Sequence, residues 1–313
     1  MKNLISKIAN LPVGVIATCV GMATLSNVYL TLGYTGIRHV SMMIAAVIWI
    51  AAFIKITVHF KTFKQEYQNV VPASLYATFT MLTMILGSYI FSYQQTIGKA
   101  IWLTGVCLHI LHILIFTYRN VIKGVKKETF IPSWFVTYNG LLVSTVVGTA
   151  MNEPMLSKCI VFYGITVFII IIPFMIIRMI KRPIPDALYH TSAILLAPSS
   201  LCLVSYLNVI PTPNAVVVYC LYAAVFATLI FILISIPKFF KPAFHPGFAG
   251  LTFPLAIGVV ASMKMSNFLM AQGMETLGAF IKEVSGIQIY MTTAIIAFVF
   301  YNFVRLFVKS YQK

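Results

Sequence analysis

Long stretches without Asp, Glu, Lys or Arg constrain the fold of this sequence more than any other feature. They cover residues 8–37, 39–54, 67–98, 100–118, 129–152, 159–177, 187–237, 242–263 and 284–304. A helix needs about 20 apolar residues to cross a membrane, so nearly every stretch is long enough. The stretch 187–237 has room for two helices and contains the turn signal Pro-Thr-Pro-Asn at 211–214. The stretches therefore predict ten membrane-spanning helices.

The composition agrees with a membrane location, because 60% of the residues are hydrophobic and only 9% are charged. We predict an all-α integral membrane protein with a single transmembrane domain, residues 1–313. The expected helices are approximately 12–33, 38–60, 71–92, 97–119, 132–151, 157–180, 187–208, 214–237, 247–267 and 286–308. The second helix must extend past Lys55, whose ammonium group is expected to snorkel to the membrane interface.

The distribution of Lys and Arg predicts the orientation of the chain. If the N-terminus is cytoplasmic, 17 of the 22 basic residues lie inside. The five outside are Arg38, Lys99, Lys158, Lys264 and Lys282. This asymmetry predicts a multi-pass protein of the inner or plasma membrane with both termini in the cytoplasm. Basic helix ends facing anionic headgroups also account for the net charge of +16, so we predict no nucleic-acid partner.

The acidic residues narrow the class of transported solute. All six lie in loops or at helix ends: Glu66, Glu128, Glu153, Asp186, Glu275 and Glu283. Cation channels use acidic rings, and proton relays use carboxylates at depth, so both classes are disfavoured. Neutral solutes and anions remain. The five cysteines have no ligand-like spacing, and we expect no metal site.

His109 and His112 lie one turn apart on the fourth predicted helix. Such a pair could ligate a metal or a haem, which would make the chain a membrane enzyme or redox subunit. No acidic or Cys residue accompanies the pair, and we favour a structural role. The expectation is therefore a protein that has no cofactor and is not an enzyme.

Two prolines fall inside predicted helices. Pro198 and Pro254 would free the carbonyls of Ile194 and Gly250, and freed backbone groups must face protein or a water-filled cavity in a membrane. Small residues surround both prolines, which suits either the lining of a narrow conduit or close helix packing. The sequence leaves these two interpretations open.

A regular spacing of prolines indicates an internal repeat. One proline falls in or at the start of each odd-numbered helix: Pro12, Pro72, Pro132, Pro198 and Pro254. The intervals are 60, 60, 66 and 56 residues, a rhythm that five helical hairpins would produce.

The segment FHPGFAGLTFPLAIGVVASMK at 244–264 resembles the signature helix of the tellurite-resistance/dicarboxylate transporter family. This family includes bacterial TehA and the plant guard-cell slow anion channels. Three further segments resemble its first, fifth and seventh helices: LPVGVIATCVGMATLSN at 11–27, IPSWFVTYNGLLV at 131–143 and LAPSSLCLVSYL at 196–207. The resemblance follows the order of the chain.

The resemblance implies a homotrimer in which every subunit has its own pore. The five odd-numbered helices would form the pore and the even-numbered helices would surround them. It also implies that the phenylalanine of the T-F-P motif, Phe253, projects across the pore as a gate. An aromatic ring in a narrow apolar tube excludes water, so a passing anion must lose part of its hydration.

The remaining site residues follow from this arrangement. We expect Pro12, Gly14, Pro198 and Pro254 to line the pore. Thr80 and Thr137 stand where related sequences often carry kinking prolines, and we expect them to line it too. Lys264 lies 11 residues, about 16 Å, beyond Phe253. It would attract anions at the outer mouth or snorkel to the interface.

The predicted function is a membrane anion channel or exporter that passes small anions such as chloride or nitrate. The alternative is a proton-coupled transporter of C4-dicarboxylates such as malate, of sulfite or of another oxyanion, with a possible link to tellurite resistance. A dicarboxylate carrier should need a fixed cation at mid-membrane, and none lies near the middle of a predicted helix. This favours the channel.

Overall fold

The computed structural model describes the backbone of residues 2–311 and the side chains of residues 5–309. This part of the chain is helical and contains no strand, which confirms the predicted all-helical fold. The α-helices are α1 (Lys2–Ile8), α2 (Val13–Thr31), α3 (Thr35–Thr57), α4 (Phe60–Tyr67), α5 (Val70–Leu75), α6 (Ala77–Phe91), α7 (Gln95–Thr117), α8 (Trp134–Tyr138), α9 (Val143–Val147), α10 (Pro154–Lys181), α11 (Leu196–Val209), α12 (Ala215–Phe239), α13 (Thr252–Ala271) and α14 (Glu275–Tyr311).

Within the described residues, nine helical segments are long and apolar enough to cross a membrane. They are Val13–Thr31, Thr35–Thr57, Val70–Phe91, Gln95–Ile122, Pro154–Lys181, Asp186–Val209, Ala215–Phe239, Pro246–Ala271 and Glu275–Lys309. Their lengths and hydropathy agree with a multi-pass membrane protein. The last segment begins at residue 275 rather than at the expected 286, because the chain turns at 272–274 and α14 starts immediately afterwards.

The fifth predicted helix, 132–151, differs from the expectation because it is helical only in pieces. The helices α8 and α9 are separated by the 3₁₀ turn Gly140–Leu142. Side-chain hydroxyls compete here with backbone amides for the carbonyl groups of the helix. Ser144 Oγ and Thr145 Oγ1 donate to the carbonyls three residues back, at 2.7 and 2.8 Å. Trp102 Nε1 of the neighbouring α7 donates to the carbonyl of Ser144 at 3.1 Å. Contacts of this kind allow an interrupted helix to remain buried inside a membrane protein.

Burial divides the nine candidate spans into two sets. In Val13–Thr31, Val70–Phe91, Asp186–Val209 and Pro246–Ala271, 72–83% of the most apolar window is buried. In the other five segments only 28–39% of the corresponding residues are buried, and many of their large apolar side chains are exposed. The first set therefore lies inside the bundle. The second set forms its apolar outer surface. We call the four segments of the first set and the interrupted segment 134–151 the inner segments.

The inner segments form a closed ring of contacts. The helix α2 packs against α6, α6 against α9, α9 against α11, α11 against α13, and α13 against α2. Each of the five also packs against the outer helix that follows it in the chain. The ring places one part of every inner segment at a common centre.

Candidate functional site

All five inner segments contribute to one small cavity at the centre of the ring. Its volume is about 20 Å³, which is enough for about one water molecule. The lining residues are Ala17, Leu75, Thr78, Met81, Phe135, Val136, Gly140, Ile194, Ala197, Leu201, Ala249, Gly250, Phe253 and Pro254. None of them is charged, and Thr78 contributes the only side-chain hydroxyl. The centre of the ring is therefore a narrow and almost wholly apolar constriction.

Phe253 lies in the wall of this constriction, and only 7% of its surface is exposed. The adjacent Thr252 Oγ1 donates to the carbonyl of Ala249 at 2.8 Å, which fixes the first turn of α13. Gly21 of α2 faces the same turn. A Cβ atom at Gly21 would lie 2.7 Å from the Phe253 nitrogen, so only glycine permits this approach. The backbone that carries Phe253 is thus held directly against α2.

The Gly21 contact gives a first prediction. We expect Gly21→Ala to destabilise the protein by about 2 kcal/mol, because an added methyl group overpacks a backbone contact. The loss is measurable as a lower unfolding midpoint in detergent. Gly36→Ala is the matched control, since a Cβ atom there meets no other atom within 4 Å. An equal effect of the two substitutions would contradict the close packing of α2 on α13.

Pro198 and Pro254 occupy equivalent places just after the two longest 3₁₀ stretches of the described residues. Asp186–Leu195 and Pro246–Leu251 are 3₁₀-helical and continue directly into α11 and α13. Each proline is the third residue of its α-helix, so it lies in a first turn rather than in mid-helix as expected from the sequence. The first turn tolerates proline best, because its amide groups lack partners within the helix.

Pro12 and Gly14 lie at the start of α2 and are not among the residues that line the cavity. Pro12 precedes the helix with φ −65°, and its carbonyl accepts from the Val15 amide at 3.0 Å. A Cβ atom at Gly14 would lie 2.8 Å from the carbonyl oxygen of Pro246. Both residues therefore shape the approach of α2 to the 3₁₀ stretch that leads into α13.

Thr80 and Thr137 turn toward α7 and are also absent from the cavity wall. The Thr80 hydroxyl lies 2.6 Å from His109 Nδ1, and the Thr137 carbonyl oxygen lies 2.9 Å from His109 Nε2. The Thr137 hydroxyl lies 3.2 Å from His112 Nε2. Tyr67 completes the network, with its hydroxyl 2.9 Å from His112 Nδ1.

The hydrogen bonds of this network are consistent with two neutral histidines. The Thr137 carbonyl can only accept, so His109 Nε2 carries the proton. The single hydrogen of the Thr80 hydroxyl is then shared between the Ala77 carbonyl, at 2.7 Å, and His109 Nδ1. His112 accepts at Nδ1 from Tyr67 and donates at Nε2 to Thr137. All four ring nitrogens are used within the protein. The pair therefore links α7 to two inner segments at Thr80 and Thr137, a contact that sequence reasoning did not anticipate.

Lys264 lies about three turns beyond Phe253 on the same side of α13, since an α-helix has 3.6 residues per turn. Its side chain is exposed, and it makes no hydrogen bond or ion pair with the described part of the chain. The structure thus places Lys264 apart from the constriction, in the second half of α13.

A buried ion pair lies near the start of α2. Lys55 is only 2% exposed, which corrects the expectation that it snorkels to the interface. Its Nζ donates to both carboxylate oxygens of Glu66, at 2.7 and 2.9 Å, and to the carbonyl of Leu11 at 2.7 Å. The Tyr76 hydroxyl donates to the same carboxylate at 2.6 Å. Lys55 thus binds Leu11, just before α2, and Glu66 binds Tyr76, which lies between α5 and α6.

A second pair of histidines, His190 and His245, packs against the 3₁₀ stretch Pro246–Leu251 that precedes α13. The rings of His190 and His245 are 4.7 Å apart, and both contact the buried Phe248. His190 Nε2 donates to the carbonyl of Phe239 at 2.7 Å. Burial lowers the pKa of His245. The two rings therefore pack against Phe248, that of His190 also packs against Phe239, and neither lines the constriction.

Comparison with known proteins agrees with these features. The sequence matches the family model SLAC1, described as voltage-dependent anion channel, over residues 10–307. A search of curated proteins finds no match. The family match confirms the predicted resemblance to the tellurite-resistance/dicarboxylate transporter family, and it indicates a multi-pass membrane protein that moves anions as a channel or transporter. Because the match covers nearly the whole chain, the protein belongs to the voltage-dependent anion channel family.

Proposed function

We propose that the protein is a channel or exporter for small monovalent anions and that the ring of inner segments encloses its pore. One observation carries this proposal. The five segments converge on a constriction with room for about one water molecule, and Phe253 forms part of its wall. An anion can pass only if the ring of Phe253 moves or the anion sheds water, so Phe253 acts as the gate.

The lining of the constriction supports selection by hydration. A hydrated ion loses favourable interactions with water when it enters an apolar passage. Monovalent anions such as chloride and nitrate hold their hydration less strongly than divalent ones, so they pass more readily. Lys264 adds a positive charge near one end of the pathway and attracts anions to it.

The proposed architecture has ten membrane segments in five helical hairpins, with the interrupted segment 134–151 as the fifth. Both termini lie in the cytoplasm of an inner or plasma membrane, because 17 of the 22 basic residues then lie inside. We further propose that three chains assemble, as the family resemblance implies, and that each chain keeps its own pore. The exposed apolar surface of the outer helices suits both lipid and neighbouring chains.

A proton-coupled transporter of malate, sulfite or another oxyanion is the rival function. Such a carrier should place a fixed cation against its doubly charged substrate, whereas the residues lining the constriction are uncharged. This contrast makes the channel our preferred interpretation.

Flux measurements in proteoliposomes separate the two functions. We expect chloride and nitrate flux to rise without saturation up to high concentration and to be unaffected by an imposed pH gradient, because a channel has no obligatory substrate complex. Malate and sulfite should move more slowly than chloride. Saturable malate uptake driven by a pH gradient would overturn the channel assignment.

A further inference from the structure

A wide groove lies on the outer side of the interrupted segment and shares no lining residue with the central constriction. Its volume is about 750 Å³, within the range of ligand-binding sites. Val121 of the π-helical turn after α7 lies on one side, and Ile170 and Phe174 of α10 lie on the other. Trp134 and Tyr138 of α8 form its floor. The groove thus runs between the end of α7 and the C-terminal half of α10.

The polar side-chain atoms of the uncharged residues that line the groove are already paired. Trp134 Nε1 donates to the carbonyl of Thr129 at 2.7 Å. The hydroxyls of Tyr138 and Thr117 form a hydrogen bond of 3.0 Å with each other. Along most of its length the groove therefore offers a ligand only apolar surface.

One end of the groove is strongly basic. Lys127, Arg178, Lys181 and Arg182 all line it. The carboxylate of Glu128 forms an ion pair of 2.9 Å with Arg182, and Arg178 donates to two backbone carbonyls. Lys127 and Lys181 are exposed and make no hydrogen bond or ion pair within the described part of the chain. Two lysines are thus available to a ligand.

We propose that this groove binds an anionic phospholipid, with an acyl chain along α8 and the phosphate between Lys127 and Lys181. The charge pattern decides the occupant, because the ligand must be apolar along its length and negative at one end. Basic pockets between membrane helices bind anionic headgroups for the same reason. The site borders the pore-forming ring, since Trp134 lies in the groove while the next residue, Phe135, lines the central constriction. The proposal does not depend on which anion the protein moves.

Native mass spectrometry of the full chain in detergent tests this site. Phosphatidylglycerol and phosphatidylcholine with identical acyl chains are added in separate titrations. We expect the wild type to retain phosphatidylglycerol preferentially. Lys127→Gln/Lys181→Gln should weaken this binding about thirtyfold, at about 1 kcal/mol for each basic residue near an anionic lipid. Lys61→Gln/Lys64→Gln is the matched control, because these exposed lysines of α4 do not line the groove. It should bind like the wild type.

Two outcomes of the titrations would overturn the proposal. One is unchanged phosphatidylglycerol binding by Lys127→Gln/Lys181→Gln, and the other is equal retention of the two lipids by the wild type. Ile170→Trp provides a second variant, because a larger side chain fills the apolar part of the groove without changing its charge. We expect it to reduce phosphatidylglycerol binding at least about tenfold, equivalent to about 1.4 kcal/mol.

A photoreactive benzoylphenylalanine placed at Phe174 identifies the occupant in the membrane. We expect illumination to yield an adduct with phospholipid. A covalent pair of chains in place of this adduct would mean that a second copy fills the groove, and the proposal would be wrong.

Discussion

Phe253→Ala is expected to raise chloride flux through the protein by at least about tenfold in proteoliposomes. The substitution removes the aromatic ring from a constriction that holds about one water molecule. Water can then accompany the ion, which lowers the cost of dehydration. A barrier lowered by only 1.4 kcal/mol gives a tenfold rate, and the cost of burying an unpaired polar group exceeds that value.

Two variants test whether this effect is specific to the gate. Phe253→Leu should give an intermediate flux, because it removes part of the ring volume. Phe79→Ala removes the same volume from a buried residue of α6 that stacks on Trp49 and does not line the cavity. We expect Phe79→Ala to leave flux near the wild-type value. Equal fluxes through Phe253→Ala, Phe79→Ala and the wild type would show that Phe253 is not the gate.

Lys55→Met should destabilise the protein by about 3 kcal/mol. Breaking a buried ion pair costs about 3–5 kcal/mol, because it leaves a charge without its partner. The lower value applies here, since Glu66 is 34% exposed and can recover some hydration. The carbonyl of Leu11 also loses its donor, which loosens the start of α2. The change is measurable as a shift of the unfolding transition in a denaturing-detergent titration.

Two controls separate this effect from a general loss of charge. Lys55→Met/Glu66→Gln should recover at least half of the lost stability, because removing both members of a buried pair is often close to neutral. Lys99→Met breaks a pair whose members are 35% and 38% exposed, so it should cost less than about 1 kcal/mol. Equal losses from Lys55→Met and Lys99→Met would contradict the buried environment of Lys55.

Much of the fold follows from the sequence, because lipid imposes simple rules. A stretch of about 20 apolar residues must form a helix to satisfy its backbone, so charge-free runs locate the spans. The interruption at 134–151 does not follow from these rules. It depends on hydroxyl groups at Ser144 and Thr145 and on the Trp102 side chain, which reaches this segment only after α7 has packed.

Less of the candidate site than of the fold could be predicted from the sequence. A family resemblance, rather than periodicity, singled out Phe253 among 24 phenylalanines. Apolar character gave no means of telling the central face of a helix from its other faces. The direction of Thr80 depended on His109, 29 residues later, and the burial of Lys55 depended on Glu66. Such pairings arise from tertiary contacts, which no local pattern encodes.

The reversal potential of Phe253→Ala currents in a planar bilayer tests the central claim most directly. With a tenfold gradient of potassium chloride, an anion-selective pore reverses close to the chloride equilibrium potential, about 59 mV in magnitude. We predict this value, together with currents well above those of the wild type. Reversal near the potassium potential, or no current above that of protein-free membranes, would contradict an anion pore closed by Phe253.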